Sequence, residues 1–390
     1  MLTLRVIPPR LLVGAAEPEP RDLTALYFEQ LWRHWSKADR AMALALAYGE
    51  AARTAFRSRA AWRHGWDKGE ERLFERAPDR AAHLGMAARK GMHRLINPAA
   101  YPLEANPLKN KRLFAERCRA ADLPIPPDFS GPESGLENWL AGETAVIAKP
   151  NYASKGAGIA GFRRKGDGWT SGGVMLGAVE ALQRIRAAVS GGGVLQRIAE
   201  SHPDLVPLSP GALPTLRVMT AVNEPGAIEV CGLVIRLNGG GPRAVDNFNA
   251  GNIAAGVDRD GRIRCGMRRV GGRLERFDRH PATGARLRGV RVPDLTEAQA
   301  LAVRAHEVFR QGFNVVGWDI GLSADGAVLI EGNWNPGPDI LQLVSNYGVG
   351  DGRLGEIYRW HLANLPDDVW RSARPVEREA RRAGAADLAA

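Results

Sequence analysis

Cysteine is scarce in this sequence of 390 residues, which contains Cys118, Cys231 and Cys265. The three stand far apart, and none forms a CxxC pair or the Cys/His spacing that is typical of zinc sites. Neither a zinc site nor a disulfide framework is therefore predicted. We expect three small, buried and reduced side chains in a reducing compartment.

Long apolar runs are lacking too. A membrane-spanning helix needs roughly 20 predominantly apolar residues, and no window of the sequence approaches that. Pro8-Pro9 interrupts the first apolar run, so no signal-peptide core is predicted. The expectation is a cytoplasmic protein without a transmembrane segment, for which peripheral contact with a membrane stays open.

Acidic residues are outnumbered, since 53 Lys and Arg stand against 43 Asp and Glu and give a net charge of +10. A basic balance favours anionic partners such as nucleotides, phosphorylated or carboxylated substrates, nucleic acid or an anionic membrane face. Charge alone does not choose among them, and an arginine-rich composition can also reflect a GC-rich genome. No nucleic-acid module is recognisable, so no nucleic-acid partner is expected.

Residues 22–94 have the apolar spacing of helices, whereas 1–20 are proline-rich and predicted to be irregular. Trp32, Trp35, Trp62 and Trp66 are interpreted as core residues of this segment, although a basic helical face could instead dock a partner. Further along, we predict an amphipathic helix over 174–189, helices over 295–311 and 351–362, and a polar surface excursion over 271–293.

Two strands joined by the turn Ser323-Ala-Asp-Gly326 are predicted within residues 314–340. Together with Phe313, this stretch has the sequence FNVVGWDIGLSADGAVLIEGNWNPGPDI. Such a hairpin places Asp319 on the first strand and Glu331 at the end of the second, with Asn333 facing the same way as Glu331. Two carboxylates and an amide oxygen are hard ligands that suit Mg²⁺. A structural hairpin with solvated acids is the alternative.

Two further patterns indicate phosphate binding. Lys149 ends a short apolar strand and is followed by the glycine-rich loop 151–161, which is not a Walker A motif. Small residues let backbone N–H groups approach phosphate oxygens closely. Arg217 and Arg236 lie on predicted strands, where an arginine usually has an anionic partner, either a ligand or a structural carboxylate.

Five segments in order resemble the ATP-grasp superfamily. EGNWNPGPDILQ, with Asp319 before it, is similar to the metal-binding end of that fold. NPLKNKRLFAERCRAADLPIPP at 106–127 is similar to its first helix, with Asn110 in place of an aspartate. VDNFNAGNI at 245–253 looks like a loop of the sugar-transfer-associated ATP-grasp branch, with Asn252 replacing a glycine. The resemblance covers roughly residues 106–363.

The resemblance implies roles for particular residues. Lys111 matches the family's first nucleotide lysine, with Lys109 as a competitor, and Lys149 the second. The implied nucleotide-binding residues are Lys111, Lys149, Ser154, Lys155, Gly156, Gly158, Gln196, Arg197, Ile198 and Glu200, the last as a ribose contact. The implied metal ligands are Asp319, Glu331 and Asn333, the implied catalytic residues Arg217 and Arg236, and the implied substrate residues Asn247, Asn249 and Asn335.

The implied fold class is α+β, an ATP-grasp fold whose two α+β lobes enclose ATP between antiparallel sheets, preceded by a helical N-terminal segment. We place the helical segment at 1–105, the N-lobe at 106–200, the C-lobe with the metal site at 201–370, and a disordered tail at 371–390. Many ATP-grasp ligases carry an α/β domain before the grasp fold, and this chain departs from that pattern.

The implied reaction is ADP-forming ligation with ATP and two Mg²⁺ ions. A carboxylate is activated as an acyl phosphate and attacked by an amine or similar nucleophile. The implied partners are a small-molecule or glycan-linked carboxylate and an amine acceptor, in the modification of glycans or cell-envelope polymers. A kinase of the same fold that phosphorylates a hydroxyl, and a non-catalytic nucleotide-binding scaffold, are the alternatives.

Overall fold

The computed structural model describes residues 2–4, 19–53, 70, 73–74, 79–152, 158–241, 248, 251–271, 273–373 and 376–378. The chain forms two units, one made of 1–96 with 337–390 (the helical unit) and one made of 97–336 (the sheet unit). The boundaries expected at residues 105, 200 and 370 stay predictions. In the ranges just given, no helix has the length and apolar character needed to cross a membrane.

Two of the described α-helices, α1 and α4, begin at a polar side chain that accepts hydrogen bonds from backbone N–H groups of the first turn. Asp22 accepts from the backbone N–H of Ala25 at 2.9 Å, and Asn110 accepts from the backbone N–H groups of Arg112 and Leu113. The α-helices of the described chain are α1 (Leu23–His34), α2 (Lys37–Arg53), α3 (Met86–Ile96), α4 (Lys111–Ala120), α5 (Leu136–Ala141), α6 (Ala178–Ser190), α7 (Leu295–Phe309), α8 (Asp339–Ser345), α9 (Arg353–Ala363) and α10 (Asp367–Ser372).

Strands form mainly in stretches rich in β-branched and apolar residues, which suit a pleated and half-buried surface. The strands of the described chain are β1 (Leu2–Leu4), β2 (Ala145–Lys149), β3 (Ala160–Lys165), β4 (Gly168–Ser171), β5 (Val174–Leu176), β6 (Val194–Arg197), β7 (Thr215–Val222), β8 (Ile228–Leu237), β9 (Ile253–Val257), β10 (Ile263–Val270), β11 (Arg273–Phe277), β12 (Val315–Ser323), β13 (Gly326–Asn333) and β14 (Val376–Arg378).

The helical unit is held together by α1, which contacts α3, α9 and α10. Tyr27 of α1 is fully buried, and its ring centroid lies 6.0 Å from that of Trp370. His93 of α3 forms a 2.6 Å hydrogen bond with the hydroxyl of Tyr358 on α9, and both side chains are buried. Trp35 is buried as expected, whereas Trp62 and Trp66 lie outside the described residues.

β1 pairs antiparallel with β14, so both ends of the chain contribute one strand. The sequence indicates neither strand, because each is only three residues long and lies in a stretch without a clear period. The expectation of an irregular start over 1–20 is therefore wrong for Leu2–Leu4.

The sheet unit contains two antiparallel sheets. One has five strands in the order β5-β4-β3-β2-β6, and the other has seven in the order β11-β10-β9-β8-β7-β12-β13. α5 and α6 pack on the five-stranded sheet, and α7 packs on the seven-stranded sheet. These paired α+β layers with antiparallel sheets are the arrangement that the ATP-grasp resemblance implies.

The two faces of the seven-stranded sheet carry different kinds of side chain. Leu216, Val218, Trp318 and Ile320 are fully buried in the core beneath α7. Because side chains alternate along a strand, the intervening Arg217 and Asp319 project from the opposite face. These two candidate site residues are therefore held by strands whose other face is buried in the core.

The helix expected over 174–189 is wrong at its start. Val174–Leu176 is a strand, and Leu176 is the register partner of Trp169 on β4. The helix begins only at Ala178, so Val179 falls off the buried face and is 71% exposed. Three apolar residues cannot distinguish the end of a strand from the first turn of a helix, and strand pairing decides between them.

Two other expectations need correction. The surface excursion expected over 271–293 contains β11, which pairs with β10 through polar residues that hide the strand period. Cys118 is fully buried as expected, but Cys231 and Cys265 are only half-buried because each lies on a partly solvated strand. All three are free thiols.

Candidate active site

The site is built around two carboxylates on neighbouring strands. Asp319 of β12 and Glu331 of β13 are register partners, and on the other side of β12 the partner of Asp319 is Arg217 of β7. Asp319 is 2% exposed and Glu331 is half-buried. Direct register partners lie close enough for their side chains to interact, so both carboxylates meet at one point of the sheet.

Two arginines hold Asp319 from the neighbouring strands. Arg217 donates to it from Nε and, at 3.0 Å, from Nη2, while Arg236 of β8 donates from Nη2 at 2.9 Å. Thr215 Oγ1 accepts from Nε and Nη2 of Arg236 at 3.1 and 3.0 Å, which fixes that guanidinium. Planar bidentate pairs of this kind are strong and directional.

The two carboxylates differ in charge state. Burial alone would raise the pKa of Asp319, but Arg217 and Arg236 outweigh burial and lower it, so Asp319 is ionised. Burial raises the pKa of Glu331, and the neighbouring charge of Asp319 raises it further. The carboxyl groups share a hydrogen bond. A cation between them would take the place of the shared proton.

Asn333 completes the donor set on β13. Its Nδ2 donates to Glu331 Oε1 and to the carbonyl of Gly317, both at 3.4 Å, which leaves the amide oxygen available as a ligand. Gly317 must lack a side chain, because a Cβ there would lie 2.6 Å from Cβ of Pro336. The proline that follows the motif can therefore fold back onto the sheet beside Asn333.

The two predicted lysines come from other elements of the sheet unit. Lys149 at the end of β2 donates to Gln196 Oε1 of β6 at 2.8 Å, and Lys111 in the first turn of α4 donates to the carbonyl of Asn151 at 3.3 Å. Burial lowers the pKa of Lys111 to about 8 and also lowers that of Lys149, and Glu331 partly offsets both shifts. Glu331 is therefore within electrostatic reach of both lysines.

The net charge of this cluster indicates which kind of ligand it can bind. Four cationic side chains (Arg217, Arg236, Lys111, Lys149) surround two carboxylates, an excess of positive charge that suits a polyanion. Within the described chain, no group of three or more His, Cys, Asp or Glu side chains could hold a metal by itself. Two carboxylates with one amide oxygen still fit Mg²⁺, which keeps several waters and takes oxygens from substrate phosphates.

Residues 196–198, the segment expected to bind the adenine base through its backbone, lie at the end of β6. Arg197 N donates to the carbonyl of Pro127 at 2.8 Å, and Ile198 N donates to the carbonyl of Ala145 at 3.0 Å. Both N–H groups are thus occupied within the protein. The Arg197 side chain makes a bidentate pair with Glu143, at 2.7 and 2.8 Å.

Glu200 follows this segment and joins it to the seven-stranded sheet. Its carbonyl accepts from Ala324 N at 2.9 Å, and its side chain lies 3.9 Å from Arg163 of β3. A ribose contact by Glu200 stays a prediction. Gly158 of the glycine-rich loop has a φ of +69°, which favours glycine, and a Cβ there would lie 2.8 Å from Pro150.

The remaining predicted residues are divided between described and undescribed parts of the chain. Ser154, Lys155 and Gly156, together with Asn247 and Asn249, lie outside the described residues. Asn335 is half-buried on the segment after β13. Asn252, which replaces a family glycine, is buried and its Oδ1 accepts from Gly239 N at 2.9 Å, so it stabilises the neighbouring turn.

The sequence analysis did not identify several groups that form hydrogen bonds with the candidate site residues. Thr215 steadies Arg236, Asn151 binds Lys111, and the side chain of Gln196 binds Lys149. Asn151 stands directly after Lys149-Pro150, which is a usable signal for a residue near phosphate. Thr215 gives none, because a threonine on a strand is ordinary.

Comparisons with solved structures find weak overall likeness. An N5-carboxyaminoimidazole synthetase from Staphylococcus aureus complexed with ADP is 8% identical, with a TM-score of 0.40 over 66% of this chain and 53% of that one. The ATP-grasp ligase PsnB complexed with minimal precursor, Mg and ADP is 18% identical, with a TM-score of 0.36 over 69% and 62%. D-alanyl-alanine synthetase A from Vibrio cholerae is 12% identical, with a TM-score of 0.37 over 68% and 67%.

This chain spans only about half to two thirds of the length of these structures. A search of curated proteins gives no match. The model of the family described as sugar-transfer associated ATP-grasp matches residues 91–357, which include both sheets and every described candidate residue. The chain therefore belongs to the sugar-transfer associated ATP-grasp family.

Proposed function

We propose that this protein is an ATP- and Mg²⁺-dependent ligase that forms ADP, activating a carboxylate for attack by an amine or similar nucleophile. The observation that carries the proposal is the register pair of Asp319 and Glu331, surrounded by two arginines and two lysines. Membership of the ATP-grasp family supports the choice of nucleotide. Glycans or cell-envelope polymers are the proposed setting of the reaction.

The nucleotide phosphates would be bound by Lys111 and Lys149. Both ammonium groups are partly buried, and each would neutralise a phosphate oxygen as a point charge. Gly158 and its neighbours in the loop 151–161 would supply backbone N–H groups to the same phosphates. The segment 196–198 would bind the base through its carbonyls, because its two donors noted above are occupied.

Asp319, Glu331 and Asn333 would hold Mg²⁺. When bound, the metal would spread the negative charge of the phosphate that is transferred. Burial and the charge of Asp319 raise the pKa of Glu331, so its carboxyl group would bind the metal in competition with a proton. Asn333, whose Nδ2 donates to Gly317 and Glu331 in the described state, would contribute its amide oxygen.

Arg217 and Arg236 would stabilise the transferring phosphate. In the described state both bind Asp319, so they are held on the face of the sheet where the charge would develop. The substrate carboxylate oxygen would attack the γ-phosphorus and ADP would leave. The amine would then attack the acyl carbon, expel inorganic phosphate and lose a proton. Neither step needs a nucleophilic side chain.

The test is turnover with ATP, Mg²⁺ and a panel of carboxylates and amines, with ADP and AMP separated by chromatography and the product identified by mass. We expect ADP, phosphate and an amide. Glu331→Gln should lose about a hundredfold or more of the turnover, since several kcal/mol of charge stabilisation disappear. Glu137→Gln, an exposed carboxylate on α5, is the matched control and should keep full turnover.

Each other result would reject a defined part of the proposal. AMP as product excludes acyl phosphate chemistry. A stable phosphoester shows a kinase, and ATP binding without turnover of any substrate favours a scaffold. Near wild-type activity of Glu331→Gln excludes its metal role.

A further inference from the structure

Most of the net charge of this protein is concentrated in one short segment. Residues 259–291 contain eleven arginines and three acidic residues, a net charge of +8 out of +10 for the whole chain. This segment, which we call the basic ribbon, comprises most of β10, β11 and the loop that follows. β11 is an edge strand of the seven-stranded sheet, so the ribbon lies at the end opposite to β13, which carries Glu331.

The arginines of the basic ribbon are largely uncompensated. Glu275 is occupied by Arg268 at 2.9 Å, and Asp278 by Arg288 at 2.8 Å. Among the residues that the structure describes, four arginines of β10 and β11 have no carboxylate partner: Arg264, Arg269, Arg273 and Arg276. Three of these are exposed and Arg269 is half-buried. Their guanidinium groups can therefore bind an external anion.

Two β-bridges of the basic ribbon place arginine opposite arginine. Arg262 is bridged with Arg291, and Arg279 with Arg286. Like charges directly opposite each other destabilise strand pairing. Charge on an edge strand also prevents edge-to-edge aggregation, but that role does not require arginines to face each other. An anion that binds both members of each pair would remove the repulsion.

The tip of the hairpin combines charge with an exposed apolar group. Val270, which ends β10, is 43% exposed between Arg269 and Arg273. Phe277 is the one Phe, Tyr or Trp side chain of the ribbon, and it is half-buried with Arg268 above its ring at 5.8 Å. The ribbon thus lacks an open aromatic platform, which single-stranded nucleic acids use for stacking. Charge spread over a ribbon with an apolar tip matches an extended anionic surface.

From these observations we propose that the basic ribbon docks the protein on a membrane containing anionic phospholipids. The arginines bind the lipid phosphates, and Val270 enters the interface between the headgroups. Basic side chains near an anionic leaflet each add to the attraction, so four arginines without a carboxylate partner suffice for reversible attachment. The binding is electrostatic and weakens as salt rises. The docking is independent of the reaction proposed above.

The test measures binding of the full chain to vesicles by flotation, using equal parts phosphatidylglycerol and phosphatidylcholine against phosphatidylcholine alone. The wild-type protein should bind the anionic vesicles and be released by salt. Arg269→Gln with Arg273→Gln should weaken binding about thirtyfold, which corresponds to about 2 kcal/mol. Val270→Ser keeps the charge and should weaken binding severalfold, and it provides a second variant if the double variant is unstable.

The matched control removes two charges elsewhere. Arg304 on α7 and Lys165 on β3 are exposed, and Arg304→Gln with Lys165→Gln should bind as the wild type does. Equal binding to both vesicle types, or equal loss in the control, overturns the proposal. Tighter, salt-sensitive binding to duplex DNA or to polygalacturonate than to the anionic vesicles also overturns it, because the ribbon would then serve a different polyanion.

Discussion

Asp319 and Glu331 are direct register partners, yet their pKa values move in opposite directions. Arg217 and Arg236 bind Asp319 and keep it ionised, while burial and that same negative charge favour the protonated form of Glu331. A divalent cation bound between the two carboxyl groups would therefore compete with a proton on Glu331.

This division of charge predicts that the two amide variants differ in stability. Asp319→Asn should lower the free energy of unfolding by about 3 kcal/mol, because it leaves the buried Arg236 and the half-buried Arg217 without this carboxylate. Glu331→Gln should leave stability nearly unchanged, since the amide can still donate a hydrogen bond to Asp319. Urea unfolding in buffer without Mg²⁺ measures both. Equal stability of the two variants would contradict the assignment of charges.

Lys149 predicts an effect on nucleotide affinity. Lys149→Ala should weaken ATP binding by about tenfold or more, about 1.4 kcal/mol, because a partly buried ammonium next to the phosphates is lost. Isothermal calorimetry measures the affinity. Lys165→Ala, an exposed lysine at the end of β3, is the matched control and should bind ATP normally. Unchanged affinity in Lys149→Ala would show that this lysine serves the fold alone.

His306 predicts a dependence of stability on pH. Its Nε2 donates to the carbonyl of Phe313 at 2.9 Å, and in the neutral ring its Nδ1 accepts from the hydroxyl of Thr220 at 2.7 Å. Burial lowers the pKa of His306 to about 4 from its usual 6.5. Between these values the unfolded chain binds more protons than the folded one, so stability falls as pH drops.

The size of this effect follows from the shift in pKa. As pH falls from 6.5 to about 4, the lowered pKa of His306 should reduce the free energy of unfolding of the wild-type protein by about 3 kcal/mol. Above pH 6.5 it should have no effect on that free energy. His306→Gln should remove that part of the slope in urea titrations repeated across this range. Arg304→Gln on the same helix should keep the slope. A variant at position 306 with the wild-type slope would contradict the neutral histidine.

The helical unit predicts the result of truncation. Removing residues 1–96 takes away α1 and α3, which cover the buried faces of α9 and α10, including Tyr358 and Trp370. The exposed apolar surface should cause aggregation, detectable by size-exclusion chromatography. Removing only 1–18 keeps those helices and should leave the elution volume close to that of the wild-type protein. A soluble truncation of 1–96 with full ATP turnover would identify these helices as a separate docking module.

Some of this architecture follows from local sequence. β12 and β13 were predictable because apolar residues flank a turn, and the turn fixes the register as far as the pair Ile320–Leu329. A register shift between Ile320 and Asp319 then places Asp319 opposite Glu331 rather than Ile330, and no local pattern predicts that shift. β5 and β11 were not predictable in the same way. β5 is too short to show a period, and β11 owes its existence to pairing with β10 through polar side chains.

The sequence by itself identified the family, and its short contiguous motifs singled out Asp319, Glu331, Asn333 and the two lysines as candidate site residues. The tertiary structure alone decided that Arg217 and Arg236 bind Asp319, across 102 and 83 residues of chain. It likewise decided that Arg197 pairs with Glu143. Such pairings depend on which strands become neighbours and in what register, and strand order is set by the packing of the whole sheet on its core rather than by any local pattern.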